Sequence, residues 1–589
     1  MTSKMEKNIK WCTNCNIPII GEICNICGSS GRECARDLKP IFSSERTLFE
    51  ELLGVRLPPF AFRYRNRVIS EGETFLTFKL DVINRRLIPL YYKKNVNCAE
   101  DMDFLEGIKR TIKANIEYLK NKEEETINFI KEAVQDCSRT FVLFGGGKDS
   151  TVVAMLAKKA LGNVPLLFVD TTLEFPETYR FVEEFSRTYN FPLIKDAHGK
   201  YYRAKQSFFK LCKKLGPPSI YYRWCCHVFK EQPVRCFIND YLNDPTDAAF
   251  LTGIRRGESR RRSNYLSIER GKKIVGQKLI QPINNWSDLE VWLYILWKGI
   301  KINKLYELGH TRVGCWPCPC TPPLMDFMRQ LTHAFLWTKF EKLLLSYAAE
   351  NYRSREWVKK GLWRLRKPKR QKIFLNPLHV KKEDEKLVFE FLLPYRRDTF
   401  DWLKILGEMK VNEDKSFKLN TQQEFEMSGR VKESQVELVV KCNIEDYTRI
   451  KMLIEKVLFR SINCIQCGAC IGSCFKGALH VTKKRVNITS KCDRCWLCLK
   501  NSCIVQDSEK MYVAKLDAFS LSPCEKGLPM NHVVFYNKEI GKKVAEALKA
   551  MGRDIEIHDE GRIVCVDAFI SKKELDHVVL EQLVFLKKT

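Results

Sequence analysis

The sequence predicts a multidomain α/β protein whose central domain is a doubly wound parallel sheet with helices on both faces. The chain has 589 residues, several times the usual length of one domain, so about four or more domains are expected. A run typical of a buried strand at residues 140–144 leads through three glycines into a helical run at 151–158. Groups of cysteines near both ends predict small domains stapled by metals.

Composition narrows the class of protein and its partners. The formal net charge is +29, which favours polyanionic partners such as nucleotides, tRNA or an acidic electron carrier, with a solvated basic surface as the alternative. The first thirty residues lack the apolar core of a signal peptide, and no stretch has the roughly eighteen apolar residues of a membrane span. We therefore expect a cytoplasmic protein without membrane contacts. Its 25 cysteines then serve metal or redox chemistry rather than disulfides.

The first cysteine group predicts a zinc ribbon over residues 1–40. Two Cys-x-x-Cys knuckles separated by eight residues can present four sulfurs tetrahedrally to one ion. An iron site of rubredoxin type is the alternative. The predicted ligands are Cys12, Cys15, Cys24 and Cys27.

Residues 41–125 predict a small mixed α/β module. Alternating residues at 74–80 suit a half-buried strand, and a charged helix extends to residue 125. Arg63, Arg65 and Arg67 alternate and would line one face of a strand. A β-rich module after a zinc ribbon resembles the PUA-like RNA-binding attachments of tRNA-modifying enzymes.

The central glycine turn is a candidate phosphate-binding loop. A strand, a glycine turn and a helix N-terminus together present bare backbone N–H groups to an anion. The spacing of a Walker loop is absent. The loop consists of Gly145, Gly146, Gly147, Lys148, Asp149 and Ser150.

Further motifs follow the loop in order. A second strand at 164–170 ends at Asp170, and Pro176 is placed to begin a helix. A tandem pair of cysteines, an arginine-rich turn at 255–260 and a Cys-x-x-Cys pair come next. Over residues 126–325 this order resembles the PAPS/APS reductase family of the PP-loop ATP pyrophosphatase superfamily. The resemblance implies a ligand at the carboxyl ends of the parallel strands.

The resemblance also implies roles for individual residues. The three glycines would contact phosphate or sulfate oxygens, Lys148 would neutralise them, Ser150 would donate a hydrogen bond, and Asp149 would position the loop or a metal. The nucleotide would further contact Asp170, Glu177, Arg255, Arg256 and Arg260. A solvated loop is the alternative for the arginines from 260 onward.

In APS-type members of that family, a cysteine pair and a later Cys-x-x-Cys ligate a 4Fe-4S cluster near the substrate. Cys225, Cys226, Cys315 and Cys318 fit this pattern, with zinc at the same sulfurs as the alternative. Cys320 could be another ligand, a buried small residue or the reacting thiol.

The C-terminal part predicts a basic helical extension at 326–400, a domain with two clusters at 401–510 and an α/β tail at 511–589. The extension suits nucleic acid or an acidic electron carrier. Two Cys-x-x-Cys-x-x-Cys runs resemble the bacterial two-cluster 4Fe-4S ferredoxin, with zinc knuckles as the alternative. Cys524 in the tail is a further candidate thiol. One cluster would be held by Cys464, Cys467, Cys470 and Cys503, and the other by Cys474, Cys492, Cys495 and Cys498.

Three functions are compatible with these motifs. In the leading one, the protein reduces PAPS or APS to sulfite, with electrons from its ferredoxin-like domain and an external donor. The chain lacks the Cys-Gly-Leu-His element of such reductases and keeps a full Gly-Gly-Lys-Asp-Ser loop, which favours ATP-dependent tRNA thiolation as the alternative. A non-catalytic electron-transfer subunit is the third. Three 4Fe-4S clusters, one zinc and an adenine nucleotide are thus the predicted ligands.

Overall fold

The computed structural model contains two compact units. One comprises residues 1–369, 467–483 and 489–493, and the other comprises 370–466, 484–488 and 494–589. Among the described residues, no helix has the length and apolar character needed to cross a membrane. The structure describes residues 9–93, 102–242, 245–271, 274, 277–368, 380–395, 399–421, 425–432, 435–481, 486–500, 503–507, 520–523, 531–535, 542, 545–546, 548–550, 555–559 and 564–568.

The first unit begins with two small antiparallel sheets. A three-stranded sheet has the order β2-β1-β3, and a five-stranded sheet has the order β4-β5-β6-β7-β8. Two helices accompany them: α1 (Ser43–Leu53) and α2 (Phe104–Ala133). The strands are β1 (Ile9–Cys12), β2 (Ile17–Ile19), β3 (Arg32–Ala35), β4 (Lys39–Pro40), β5 (Phe62–Tyr64), β6 (Arg67–Ser70), β7 (Glu73–Asp81) and β8 (Arg86–Tyr92).

The four N-terminal sulfurs are arranged as a single tetrahedral ion requires. Cys12 Sγ lies 3.4 Å from Cys27 Sγ, and Cys24 Sγ lies 3.8 Å from Cys15 Sγ. A zinc ion with Zn–S bonds of about 2.3 Å separates its sulfurs by about 3.8 Å. Within the described part of the chain, this is the one group of Cys, His or carboxylate ligands that is compact enough for one ion.

The alternating arginines of the β-rich module do not share a face. Tyr64 pairs with Arg67 across a hairpin, so Arg65 lies in the turn, with a left-handed φ of +57°. Arg63 is buried, pairs with Glu45 and donates a hydrogen bond to the Gly309 carbonyl at 2.9 Å. A two-residue turn reverses the chain here, which breaks the alternation expected of one continuous strand.

The central sheet has the order β10-β9-β13-β15-β14, with all strands parallel except the edge strand β14. Numbered along the chain, the parallel strands run 2-1-3-4, so the topological switch point lies between β9 and β13. The predicted second strand is split at Phe168, and its second half pairs with β12. The strands are β9 (Arg139–Leu143), β10 (Leu166–Leu167), β11 (Val169–Asp170), β12 (Tyr202–Arg203), β13 (Ala248–Leu251), β14 (Ile268–Arg270) and β15 (Lys278–Ile280).

Apolar clusters cover the central sheet. One contains Val142, Val152, Leu166 and Trp292, and another contains Phe141, Phe237 and Phe250. Because successive strand residues point to opposite faces, Phe141 and Val142 belong to different clusters. The helices are α3 (Lys148–Leu161), α4 (Pro176–Thr188), α5 (Phe208–Leu215), α6 (Trp224–Cys226), α7 (Gln232–Tyr241) and α8 (Asp288–Trp297).

The region from residue 326 onward is helical at its start and stranded later. Trp363, Arg364 and Arg366 are buried, and Arg366 donates hydrogen bonds to the Leu215 and Pro217 carbonyls at 3.3 and 2.7 Å. These three residues therefore pack inside their unit, whereas Lys359, Lys360 and Lys367 of the same stretch are exposed. The helices are α9 (Pro323–Thr332), α10 (Ala334–Glu350) and α11 (Arg355–Lys359), and the strands are β16 (Val380–Glu383) and β17 (Lys386–Pro394).

The second unit contains a six-stranded antiparallel sheet, ordered β16-β17-β21-β20-β19-β18, and a four-stranded sheet, ordered β24-β25-β27-β26. Cys524 and most of the helix predicted at 538–551 lie outside the described residues. The remaining strands of the chain are β18 (Glu408–Val411), β19 (Ser416–Asn420), β20 (Phe425–Lys432), β21 (Gln435–Asn443), β22 (Leu479–Val481), β23 (Val486–Ile488), β24 (Ser520–Pro523), β25 (Asn531–Phe535), β26 (Ile555–Asp559) and β27 (Val564–Ala568). The remaining helices are α12 (Thr399–Leu403), α13 (Tyr447–Asn463) and α14 (Leu497–Lys500).

Zinc binding by the ribbon can be tested with a matched pair of substitutions. Cys24 is fully buried in the ribbon core, whereas Cys34 lies outside the four-sulfur group. We expect Cys24→Ser to lose the zinc and to lower the free energy of unfolding by several kcal/mol, on the order of the coupling between structural zinc and folding. Metal analysis and thermal denaturation measure both effects. Cys34→Ser should retain the metal, and retention of one zinc per chain in Cys24→Ser would contradict the assignment.

Candidate nucleotide and cysteine site

The glycine loop joins β9 to α3 at the topological switch point of the sheet. Gly146 has a φ of +68°, a conformation that glycine adopts without a steric penalty. Ser150 Oγ donates to the Gly147 carbonyl at 2.9 Å and accepts from the Gly145 amide at 3.3 Å. The amides of Gly146 and Gly147 donate to no atom of the described residues. They are available to an anion at the N-terminus of α3.

Neighbouring elements hold the loop tightly. Asn303 Nδ2 donates to the Gly146 carbonyl at 3.3 Å and to Thr178 Oγ1 at 3.2 Å. A Cβ on Gly253, just after β13, would lie 2.6 Å from the Asp149 carbonyl carbon and the Ser150 amide nitrogen. The close approach of two chain segments therefore requires glycine at 253.

A buried ion network lies at the start of α3. Lys148 Nζ contacts Asp149 at 2.9 Å and Asp288 at 3.0 Å, and Arg255 contacts the same two carboxylates at 2.6 Å each. Burial would raise the pKa of Asp149, but Arg255 and Lys148 hold it well below its usual value. Burial likewise opposes the charge on Lys148, whose pKa is nevertheless raised by Asp149 and Asp288. Lys148, Asp149 and Arg255 therefore stay ionised, and the contacts with Asp288 complete the network.

A residue from the N-terminal region completes this network. The Asp37 carboxylate accepts hydrogen bonds from the Asp288 amide at 2.8 Å and the Leu289 amide at 3.1 Å, so it caps α8. Burial, followed by the nearby Asp288 charge, raises the pKa of Asp37 to about 6. Asp37 and Asp288 are functional candidates that the sequence motifs did not identify. The capping box of Ser287 and Glu290 was a sequence signal for the helix start beside them.

The three predicted anion-binding arginines have different surroundings. Arg255 is engaged in the ion network and also donates to the Trp286 carbonyl at 3.3 Å. Arg256 donates to the Tyr265 carbonyl at 3.0 Å and to the Asn285 side chain. Arg260 is exposed. Arg255 and Arg256 thus order the turn after β13, and Arg260 is the one of the three that faces solvent.

The two predicted acidic residues both flank the loop that follows β11. Asp170 accepts hydrogen bonds from the Tyr179 hydroxyl at 2.6 Å and from the Thr172 amide at 2.7 Å. Glu177, in the first turn of α4, lies 3.1 Å from His333 Nε2. Both carboxylates therefore shape the wall of the site through contacts with other side chains.

The Cys-x-x-Cys pair lies against the same wall. Cys315 Sγ is 3.5 Å from Glu174 Oε1 and 3.6 Å from Thr171 Oγ1, and the Trp316 amide donates to the Leu173 carbonyl at 2.8 Å. These three partners follow directly after Asp170 at the carboxyl end of β11. Strand β11 follows β10, the neighbour of β9 in the central sheet, so Cys315 and the glycine loop lie at the same end of these strands.

The tandem cysteines share this environment. A contact with Cys226, burial, and charges on Cys226, Cys318 and Cys315 together raise the pKa of the Cys225 thiol. Cys318 also contacts Cys320. Negative charge on Cys315 is the main cause of a raised pKa at Lys230, a residue that the sequence motifs left without a role. The four predicted ligands and a lysine thus lie within electrostatic reach of one another.

The arrangement of these four cysteines differs from that of the ribbon cysteines. Their sulfurs are not a compact four-atom group like that of the ribbon, which is the one such group among the described residues. In a 4Fe-4S cluster each thiolate binds a different iron, so the sulfurs stand farther apart. Lys230 also offsets the net negative charge of a cluster with four thiolates.

The glycine loop and the cysteines are adjacent in space. A Cβ on Gly147 would lie 3.8 Å from Val313 Cβ. Cys315 follows two residues later, and two residues span at most about 7 Å. The Tyr306 hydroxyl, in the same segment, accepts a hydrogen bond from the Lys148 amide at 2.8 Å. The segment from Asn303 to Cys318 therefore contacts the phosphate-binding loop and contributes half of the cysteine set.

The two ferredoxin-like motifs repeat an unusual backbone conformation. Gln466 and Gly468 have φ values of +52° and +79°, and Arg494 and Trp496 at the matching positions have +55° and +56°. Left-handed residues are uncommon outside glycine, so the repetition at equal spacing indicates one loop conformation used twice. The Gln466 amide lies 3.4 Å from Cys464 Sγ. Hydrogen bonds to sulfur of this kind accompany iron–sulfur ligation.

Asp37 provides a test of the ion network through pH. Its folded pKa is raised from 3.8 to about 6, so between these values the folded chain binds more protons than the unfolded chain, and stability falls as pH rises. Asp37→Asn cannot ionise. Removing the destabilised charge favours the folded state of the variant at pH 7, whereas weaker hydrogen bonds to the neutral amide oppose this gain. We expect a net increase in the free energy of unfolding of about 1–2 kcal/mol.

This advantage should disappear at about pH 3, below both pKa values, where Asp37 is protonated in both states. Thermal denaturation of both proteins between about pH 3 and pH 7 measures the difference. Parallel stability profiles over that range would contradict the raised pKa.

Known proteins match the central part of the chain. The phosphoadenosine phosphosulfate reductase domain matches residues 139–321. An uncharacterized protein of Methanocaldococcus jannaschii is 38% identical over 264 residues, which cover 44% of this chain and 52% of that protein. A second protein of that organism is 28% identical over 46% of this chain and 63% of its own length. This chain thus spans about half to two thirds of these relatives.

Two further relatives have descriptive names. Sulfate adenylyltransferase subunit 2 of Buchnera aphidicola is 30% identical over 224 residues, which cover 33% of this chain and 68% of the relative. The crystal structure of PAPS reductase from Candida auris is 23% identical and covers 34% of this chain and 96% of that one, with a TM-score of 0.26, too low to define a shared fold. With its α/β nucleotide-binding sheet and the matched domain, this chain belongs to the phosphoadenosine phosphosulfate reductase domain family.

Proposed function

We propose that this protein is a PAPS/APS reductase-like enzyme, which releases sulfite and an adenosine nucleotide at the site between the glycine loop and the four cysteines. The observation that carries the proposal is the adjacency of Gly147 and the segment leading to Cys315. A phosphosulfate bound by the loop amides would place its sulfur toward the thiol side of the same sheet edge. The family match supports an adenine nucleotide as the substrate.

The chain's own groups have separate tasks in this reaction. The amides of Gly146 and Gly147, with the N-terminus of α3, bind the phosphate oxygens. Lys148 and Arg255 belong to the ion network at the start of α3, so they hold the glycine loop in place. They contribute positive potential without donating hydrogen bonds directly to the anion. Arg260 is free to approach a 3′-phosphate from the exposed side.

The chemistry requires two electrons. The S–O bond to the bridging phosphate oxygen breaks, the electron pair of that bond remains on the nucleotide oxygen, and the sulfonate sulfur gains the two electrons to leave as sulfite. Cys225, Cys226, Cys315 and Cys318 would hold a 4Fe-4S cluster, which when bound would supply one-electron chemistry near the sulfonate. The reductant is a reduced iron–sulfur carrier, for which the ferredoxin-like motifs and an external donor are proposed.

ATP-dependent tRNA thiolation remains the second candidate. It is favoured by the complete Gly-Gly-Lys-Asp-Ser loop, which is more typical of relatives that cleave ATP. In this reaction ATP would adenylate an RNA base, and sulfur would displace AMP.

One anaerobic assay distinguishes the two reactions. Reduced protein is given APS, PAPS, or ATP with tRNA, and sulfite and AMP are measured. We expect sulfite release from APS or PAPS without ATP. Formation of AMP from ATP that depends on tRNA, without sulfite release, would instead support thiolation and contradict the reductase. Lys148→Ala should impair either reaction, because it leaves Asp149 and Asp288 with one cation fewer.

The cradle itself is tested by a glycine pair. An alanine at Gly146 would be strained at φ +68° and would place Cβ 3.1 Å from Thr178 Cγ2, whereas a Cβ at the exposed Gly257 meets no atom within 4 Å. We expect Gly146→Ala to weaken APS binding by roughly tenfold, equivalent to the 1–2 kcal/mol cost of a left-handed residue. Calorimetric titration with APS measures the affinity. Gly257→Ala is the control and should bind APS as wild type does. Equal APS affinities of Gly146→Ala and Gly257→Ala would exclude the loop as the phosphate site.

A further inference from the structure

A single helical rod begins at the tandem cysteines. Helix α6, a π-helical segment at His227–Glu231 and α7 follow one another without a break, and the residues at both junctions have right-handed helical dihedrals. Cys226 and Gln232 are six residues apart, a rise of about 9 Å along such a rod. The first turn of the rod thus belongs to the candidate catalytic site, and α7 projects away from it.

The other end of the rod contacts the first ferredoxin-like motif. A Cβ on Gly468 would lie 2.8 Å from Gln232 Nε2, and a Cβ on Gly477 would lie 2.7 Å from the Asn239 side chain. Both glycines have left-handed φ values, +79° and +63°. The backbone beside the motif cysteines can therefore lie directly on the α7 side chains.

The α7 contacts form one stripe. Gln232, Arg235 and Asn239 recur at i, i+3 and i+7, which places them on the same helical face. Arg235 is fully buried and lies within the electrostatic field of Cys474, whose Sγ accepts a hydrogen bond from the Ala478 amide at 3.2 Å. Arginine is rarely fully buried unless it is paired, so a buried Arg235 near a motif cysteine indicates a specific contact and not only apolar packing.

We propose that the rod from Trp224 to Tyr241 is the intramolecular electron route, with Gln232, Arg235 and Asn239 as the positioning residues that hold Cys467 and Cys474 near the tandem-cysteine site. The proposal rests on the proposed function. Each transfer moves one electron and no proton: an iron–sulfur group on the motif side is oxidised and the group held by Cys225 and Cys226 is reduced. Two such transfers supply the two electrons that the release of one sulfite requires.

The wild-type protein provides the first test. The full chain is purified anaerobically, its iron is quantified and it is reduced completely with dithionite without any substrate. Paramagnetic groups held close together broaden or split each other's electron paramagnetic resonance signals. We expect such coupling for the signal that Cys225→Ser removes. An uncoupled signal at that site overturns the proposal, whether or not the enzyme makes sulfite.

Substitutions on the stripe provide the second test. Arg235→Met and Asn239→Leu change no predicted ligand, and Arg187→Met on the exposed surface of α4 is the matched control. We expect both stripe variants to lose the coupling and to slow the reoxidation of the motif by APS, at unchanged iron content and unchanged APS affinity. The control should behave as wild type.

Full coupling in both stripe variants at normal iron content would assign the stripe a packing role only and overturn the proposal. If a stripe variant loses iron, its spectrum no longer tests the stripe. The signal coupling measured in the wild-type protein then decides whether the electron route is retained or overturned. Failure of the reductase proposal is recognised separately, as absence of sulfite from APS and PAPS with intact coupling.

Discussion

The ion network of Lys148, Arg255, Asp149 and Asp288 is the interaction on which the candidate site depends. Burying charges is costly unless each is paired and hydrogen-bonded, and here two cations contact the same two carboxylates at 2.6–3.0 Å. The network joins the start of α3, the turn after β13 and the start of α8. Through the Asp37 cap on α8 it also includes the N-terminal region. An open loop of bare amides can keep one shape because this support is rigid.

The segment from Asn303 to Cys318 connects the glycine loop with the cysteines. Its first residues fix the glycine loop through Asn303 and the Tyr306 hydroxyl, and its last residues place Cys315 beside Glu174. One short stretch of chain thus sets the relation between the phosphate cradle and the thiols. The buried Arg63, which donates to the Gly309 carbonyl, anchors the middle of this segment to the β-rich module.

Local patterns in the sequence predicted the elements of the site, but long-range charge pairing was not visible in them. The strand before Gly145, the helix that begins at Pro176 and the compact group around Cys12 follow from periodicity, proline placement and spacing, and all three occur in the structure. Arg255 was expected to contact the nucleotide. Its pairing with Asp149 and Asp288 was not predicted, because these partners lie 106 and 33 residues away in the sequence. The buried Trp363 and Arg366 and the hairpin at Arg65 were missed for the same reason, since tertiary packing overrides alternation and charge.

The glycine loop and the four cysteines are proposed to form one site. The most direct measurement is the electron paramagnetic resonance spectrum of the reduced holoprotein before and after the addition of AMP, the nucleotide that remains when APS is reduced, because AMP cannot reoxidise the iron–sulfur groups. We predict that AMP shifts one signal and that this signal is absent in Cys225→Ser. A shift that survives in Cys225→Ser, or saturating AMP without any shift, would contradict a shared site.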